Sequence, residues 1–325
     1  MTGKVTIKDV AKAAGVSEAT VSRALTHSPR VKRDTRQKIQ NIANNLGYHP
    51  NGLARSIRLQ HTHTLGVIIP DILNAFFTKL SRTIEDAADK AGYDVVLVNT
   101  DESLAKEANA LSLLLEKQVD GIIITSAGGP TKYTDILGNT PAVFVDRMPP
   151  VTGQLAYDRV LVDNIQGTRA VVTELIHQGA QRIGIINSAV SFTATERMTG
   201  YREALTQAGF EPDAAIEATA RTDNSNVQQM TRQLLVNQKC DGLFVADNTI
   251  MEEVLRKLPA LDLPPIHLGG FDDQDWFDFL PQPIVTARQP IAQLGQTAID
   301  RLLAKIDDPD LLPEEIRLAA TTISR

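Results

Sequence analysis

The sequence predicts an α/β chain that starts with a small all-helical head: a three-helix helix-turn-helix unit, then two doubly wound parallel-sheet units. Three observations predict this. The first 60 residues carry helical periodicity and helix-start signals. From Thr64 on, short β-rich runs ("TLGVIIP", "YDVVLV", "VDGIIIT", "PAVFVD") alternate with helical stretches. The alternation then restarts as "RIGIIN", "CDGLFVA" and "PPIHLGGFDD", so two units of about 100 residues each follow the head.

In the head, Thr6 and Asp9 form an [ST]-x-x-[DE] helix start, with Val5 and Val10 placed to staple it. The helix runs through Ala11 and Ala14 and stops at Gly15, which suits the left-handed residue after a helix end. Ser17 caps a second helix, roughly 18–25. Val21, Ala24 and Leu25 share its inner face, and Glu18, Ala19, Ser22, Arg23 and Thr26 its outer face. A third helix, about 33–46, turns Ile39, Ile42, Ala43 and Leu46 inward and ends at Gly47.

The outer face of the second helix matches what a DNA major groove accepts. Arg23 can fork onto guanine, Glu18 can accept from cytosine N4, and Ala19 can touch a thymine methyl. Thr6, Ser17, Thr20, Ser22 and Thr35 are placed to meet phosphates or the groove edge. Charge points the same way: residues 1–60 hold 11 Lys/Arg against 3 Asp/Glu, whereas the whole chain carries −6. A basic head on an acidic body suits a polyanion, although an acidic protein or membrane surface fits the charge alone. By spacing alone, a helical bundle with a merely solvated polar face also fits.

"VTIKDVAKAAGVSEATVSRAL" followed by "GYHPNGLARSIR" resembles the lactose-repressor (LacI/GalR) family of bacterial transcription regulators, over the whole chain. The third helix departs from the family pattern in opening "VKRDTR": Lys32 stands where a capping Ser is usual. The resemblance implies that 50–63 is a hinge whose helix forms against a dimer mate in the minor groove. Asn51, Ala54 and Arg55 would then contact DNA, and Ile57, in place of the usual Leu, would wedge a base step. Alone, so short a segment containing Gly52 reads as a flexible linker. The family further implies a homodimer on a pseudo-palindromic operator and a body of the periplasmic-binding-protein type, controlled by a sugar. The resulting divisions are 1–49, 50–63 and 64–325. Within the last, one half takes about 64–161 plus 290–318 and the other about 162–289 plus the C-terminal end. The strand pattern alone fits two separate Rossmann-type domains equally well.

Ligands in such sheets sit at the carboxyl ends of the strands. There the first half places Asp71, Asn74, Phe76, Phe77, Thr125, Ser126, Asp146 and Arg147. The second half places Arg197, Asp247, Asn248, Asp272 and Trp276, with Gln289 on a crossover. Flat aromatic surface with carboxylates and arginine suits a polyol. Arg197 matches the family's R-x-x-G signature in "TERMTGY", whose arginine contacts effector. Blander roles are open: Phe76 or Phe77 as core, Asp272 and Asp273 as a helix N-cap pair, Arg147 as a surface ion pair. The family commonly has Asn-Asp where this chain has Asp247-Asn248. With Arg147, Arg197 and Arg288 nearby, the swap raises an acidic or phosphorylated sugar as one possibility.

Other classes fare worse. No P-loop, dinucleotide-binding fingerprint or nucleophile elbow is present, so no enzyme is expected. Cys240 is the only cysteine and the six histidines lack ligand spacing, so no metal or cofactor is expected; His61 and His63 read as solvated or near phosphate. No apolar run spans a bilayer and the N-terminus lacks a signal-peptide core, which points to a cytoplasmic protein with no membrane partner. A transport-type sugar-binding protein shares the body but not the head. The absence of a heptad tail after "LAATTISR" argues against a tetramer built on a terminal bundle.

Overall fold

The computed structural model describes residues 5–25, 30–48, 61–129, 132–148, 156–189, 192–221 and 223–325. The chain forms two compact units, Met1–Thr62 and His63–Arg325.

The first unit contains α1 (Ile7–Ala14), α2 (Glu18–Leu25) and α3 (Arg33–Asn45). Asp9 secures the start of α1, accepting from the Thr6 amide at 2.9 Å and the Thr6 hydroxyl at 2.7 Å. Those bonds hold the Asp9 carboxyl below its usual pKa. Gly15 ends the helix with φ +70°, a left-handed conformation that glycine adopts without steric cost. Val10, Val21 and Ile39 are fully buried, among Ala11, Ala14, Ala24, Val31 and Ala43. Three such aliphatics contribute on the order of 5–9 kcal/mol before chain entropy is counted, a thin margin for so small a unit. Leu46 departs from expectation: α3 stops at Asn45, and Leu46 is 39% exposed. The chain turns at Gly47, Tyr48 N–H bonds back to the Ala43 carbonyl at 2.9 Å, and Tyr48 packs on the core instead.

The second unit begins with β1 (Thr64–Ile69), α4 (Ala75–Lys90), β2 (Asp94–Asn99), α5 (Leu104–Glu116), β3 (Gly121–Ile124), α6 (Tyr133–Leu137), β4 (Ala142–Val145) and β5 (Asp158–Val162). It then passes through α7 (Asn164–His177), β6 (Ile183–Ser188), α8 (Phe192–Gln207), β7 (Glu217–Ala220) and α9 (Val227–Arg232). Next come β8 (Gly242–Val245), α10 (Asn248–Lys257), β9 (His267–Phe271), β10 (Ile284–Arg288), α11 (Ile291–Asp307), β11 (Glu315–Leu318) and β12 (Thr321–Ser324).

Two six-stranded sheets result, ordered β11-β5-β4-β3-β1-β2 and β12-β10-β9-β8-β6-β7. Apart from β12, which runs antiparallel to β10, neighbours are parallel. Each sheet reverses strand order between its first and third strands, so each has a switch point where ligands bind. The fully buried runs of β3, β4 and β8 need cover on both faces, and α4 and α11 pack together on the first sheet. The chain crosses between sheets after β5, after β10 and again between β11 and β12. Strand β7, "EATA", carries no apolar run and lies at a sheet edge, so pattern reading misses it.

His63 is exposed, in keeping with a solvated residue. Its backbone N–H bonds Asp120 at 2.8 Å and its ring lies 5.4 Å from that of Tyr93.

Candidate nucleic-acid interface and ligand cleft

On α2, the residues expected to face DNA are divided from the core by the 3.6-residue period. Val21 and Ala24 are fully buried, while Glu18, Ala19 and Arg23 are exposed and Thr20 and Ser22 half-buried. Ser17 caps the helix, its hydroxyl accepting from Thr20 N–H at 3.2 Å and lying 2.9 Å from the Thr20 hydroxyl. Lys32 occupies the N-cap of α3 without a side-chain cap bond, and Thr35 is half-buried in its first turn. Lys8, Lys12, Lys32, Arg33 and Lys38 are exposed on the same small unit, which is what phosphate recognition requires. Thr26, Asn51, Ala54, Arg55 and Ile57 lie outside the described residues.

In the second unit, the carboxyl ends of the strands bring together most of the expected cleft residues. Asp146 follows β4 and Asp272 follows β9, equivalent places in the two sheets. Both adopt left-handed backbone, φ +63° and +73°, and both bond their N–H to the neighbouring strand at 3.0 Å, to Val160 and Ala287. Non-glycine residues pay for this conformation, which is concentrated at functional sites. Both carboxylates are buried, at 4% and 6% exposure. Burial raises the pKa of each against the pull of nearby arginines, and Asp272 is pushed up to about 6.

Arg197, 5% exposed, lies near enough to both to lower their pKa values electrostatically. Its Nε donates to Asn164 at 2.9 Å, its Nη1 to the Ala246 carbonyl at 2.6 Å, and its guanidinium lies 3.8 Å above the Phe271 ring. The glycine of the R-x-x-G signature explains this placement. A Cβ on Gly200 would stand 2.4 Å from the Ile165 carbonyl oxygen, so glycine lets α8 approach α7 closely and delivers Arg197 to Asn164. Gln289, 5% exposed, donates Nε2 to Asp272, while its Oε1 is buried with no partner among the described residues.

Asn74 caps α4, accepting from Phe76 N–H at 3.0 Å. It also exchanges two amide hydrogen bonds with Asn248, at 2.8 and 3.2 Å, which join the two halves. Asp247 caps α10 through Oδ1, accepting from the Thr249 amide at 2.8 Å and hydroxyl at 2.6 Å. The swapped order therefore leaves the carboxylate at the strand end and sends the amide across the cleft. Phe76 and Phe77 are both core, stacked edge to face at 5.1 Å, with the Arg147 guanidinium 5.2 Å from the Phe77 ring.

The remaining candidate residues are engaged as follows. Arg147, itself mostly covered, is bound to the exposed Glu102 through Nη1, at 2.8 and 2.9 Å, an ion pair at the surface as its blander reading has it. Asp71 is half-buried and closes its own turn, accepting from Leu73 N–H at 2.9 Å. Trp276 packs edge to face on Phe277 at 4.6 Å and stays 39% exposed. Asp272 and Asp273 cap no α-helix. Against the desolvation of Asp273, donation from Arg325, Arg288 and Thr286 holds its carboxyl below the usual range. Arg288 is thereby engaged away from the Asp146–Arg197–Asp272 cluster.

Sequence reading missed the support beneath Thr125, itself 1% exposed. Buried Glu107 on α5 accepts from the Ala127 amide at 2.6 Å and from the Tyr133 hydroxyl, which lies 2.8 Å from the Ser126 hydroxyl. Desolvation raises the Glu107 pKa. The only hint in the sequence is an acidic residue on the inner stripe of an otherwise amphipathic helix. No group of metal-ligating side chains occurs among the described residues, nor is any described helix long and apolar enough to cross a membrane.

Two family profiles match the chain. One, described as "Bacterial regulatory proteins, lacI family", covers residues 6–51; the other, "Periplasmic binding proteins and sugar binding domain of LacI family", covers 62–322. The ribose operon repressor of Bacillus subtilis is 33% identical over 98% of this chain and 97% of its own length. Catabolite control protein A of Priestia megaterium is 31% identical over 96% of this chain and 95% of its own. Among solved structures, the lac repressor dimer bound to operator and the anti-inducer ONPF matches with a TM-score of 0.83 and 25% identity, covering 99% of this chain and 98% of that one.

Proposed function

The chain belongs to the lacI family of bacterial regulatory proteins, and from that premise we propose that it is a homodimeric repressor of carbohydrate genes. It reads a pseudo-palindromic operator with α2, and a sugar-type effector in the cleft changes its grip. The observation that carries this reading is one chain holding both an exposed, basic recognition-type helix unit and a buried carboxylate–arginine cleft at paired sheet switch points. Glu18, Ala19 and Arg23 read base edges; Thr6, Ser17, Thr20, Ser22 and Thr35 meet phosphates or support α2. Asn51, Ala54, Arg55 and Ile57 complete the contact set. A two-fold protein on a two-fold site doubles every such contact.

In the cleft, Asp146 and Asp272 accept from sugar hydroxyls and Arg197 donates to them. Arg147 carries Glu102 already, and Arg288 carries Asp273. That charge balance supports an effector without negative charge over an acidic or phosphorylated sugar. Fluorescence anisotropy with a duplex selected from a random pool tests the reading, with and without a sugar panel. Specific binding should weaken steeply with salt and shift with one sugar class. Arg197→Ala should keep operator affinity but blunt the sugar response at least tenfold. A chain with no duplex preference, or an unaltered response in Arg197→Ala, contradicts the proposal.

A further inference from the structure

We propose that the effector of this cleft carries a protonated amine, as in an amino sugar or iminosugar, held by Asp247, Asp272 and Gln289. The inference rests on the cleft being the effector site and adds the charge of its ligand.

Three carboxylates, Asp146, Asp247 and Asp272, stand at the carboxyl ends of β4, β8 and β9, close enough to act on one another electrostatically. Among the described residues, two arginines face them, Arg147 and Arg197. Arg147 is taken by Glu102, whereas Arg197 spends Nε and Nη1 on the neutral oxygens of Asn164 and Ala246. Counting Glu102 and the half-buried Asp247, four carboxylates thus meet two arginines, an excess of negative charge that is costly in a partly buried cleft unless a ligand offsets it.

The unfilled positions are also acceptors. Gln289 points its amide N–H at Asp272, so its Oε1, buried and without a partner among the described residues, looks for a donor. Reversing that amide would set two acceptors against each other, so the orientation is fixed. The Asp146 carboxylate accepts no hydrogen bond among the described residues; its nearest cation is Arg147 Nε at 3.6 Å. Asp247 uses Oδ1 for its helix cap, and its other oxygen accepts none among the described residues. A hydroxyl brings one donor and no charge. An ammonium brings two or three donors and the missing positive charge, in charge-assisted bonds. Arg147 Nε, buried and without a hydrogen-bond partner among the described residues, then offers a donor to a ring or hydroxyl oxygen of the same molecule.

The test is calorimetric titration of the full chain at pH 7 with matched pairs. These are D-glucosamine against D-glucose, D-galactosamine against D-galactose, and 1,4-dideoxy-1,4-imino-D-ribitol against D-ribose. The amine should bind at least tenfold tighter in one pair or more. Asp247→Asn, which can still cap α10, should narrow that preference to under threefold. Neutral sugars that bind and shift operator affinity with no preference for the amine overturn this inference and leave the proposed function standing. So does tighter binding of sugar phosphates. An amine preference that survives Asp247→Asn intact overturns the assignment to Asp247, and a panel in which no sugar binds or alters DNA affinity overturns both readings.

Discussion

Replacing Gly200 by alanine tests how the arginine of the cleft is positioned. The new Cβ would lie 2.4 Å from the Ile165 carbonyl oxygen and 3.0 Å from the Thr168 Cβ. The first distance is roughly 1 Å shorter than an ordinary carbon–oxygen contact. The obstacle is backbone, so no side chain can swing away, and α8 must lift from the start of α7. Overpacking of this kind costs about 1–3 kcal/mol, and the better helix propensity of alanine returns about 1 kcal/mol. For a unit of this size the net, up to about 2 kcal/mol, corresponds to a fall in Tm of up to about 8 °C. Arg197 lies one turn earlier on the same helix, so its bonds to Asn164 and Ala246 lengthen and the stack on Phe271 loosens. Thermal denaturation of the variant, followed by effector titration against operator-bound protein, reads both effects. A variant that melts within about 1 °C of the parent and responds to effector unchanged would refute the idea that close helix approach positions Arg197.

Two further outcomes are expected. Arg23→Ala should weaken operator binding by about 1–3 kcal/mol and relax preference at one base pair per half-site; equal loss on every single-base variant of the operator would assign Arg23 to phosphate. Asp272 holds its proton more tightly folded, near pH 6, than its ordinary value of 3.8. Its contribution to stability is therefore present below about pH 4 and lost as pH rises through 6. Asp272→Asn, tolerated at positive φ, should flatten the decline in Tm between pH 4 and 7, and an unchanged slope would show that the group is not buried as described.

The head was readable almost residue by residue because its signals are local. Thr6 with Asp9, Gly15 and Ser17 each act within four positions, and a 3.6-residue period separates Val21 from Arg23. Leu46 misled because the helix end depends on where Tyr48 finds cover, a tertiary matter. In the body, central strands announce themselves as apolar runs, while the edge strand "EATA" has no need of one. Cleft positions at strand ends were legible for Asp146 and Asp272, and Arg197, on α8, was marked by its R-x-x-G signature. Which partner each residue takes was not: Arg147 with Glu102 is 45 positions apart in sequence, and Asn74 with Asn248 is 174. Asp71 closes its own turn and Trp276 packs on Phe277 within a 3-10 turn, local geometry that no residue pattern encodes uniquely.

The route of the chain between the sheets bears on how the molecule is made. Helix α11 and strand β11 complete the first sheet with residues 291–318, whereas the second sheet needs only β12 beyond residue 288. On the ribosome, the half translated first must therefore wait for the last tenth of the polypeptide, and the half translated second reaches near-completion before it. A released chain truncated after residue 289 would resist protease in its later half and be cleaved in its earlier one.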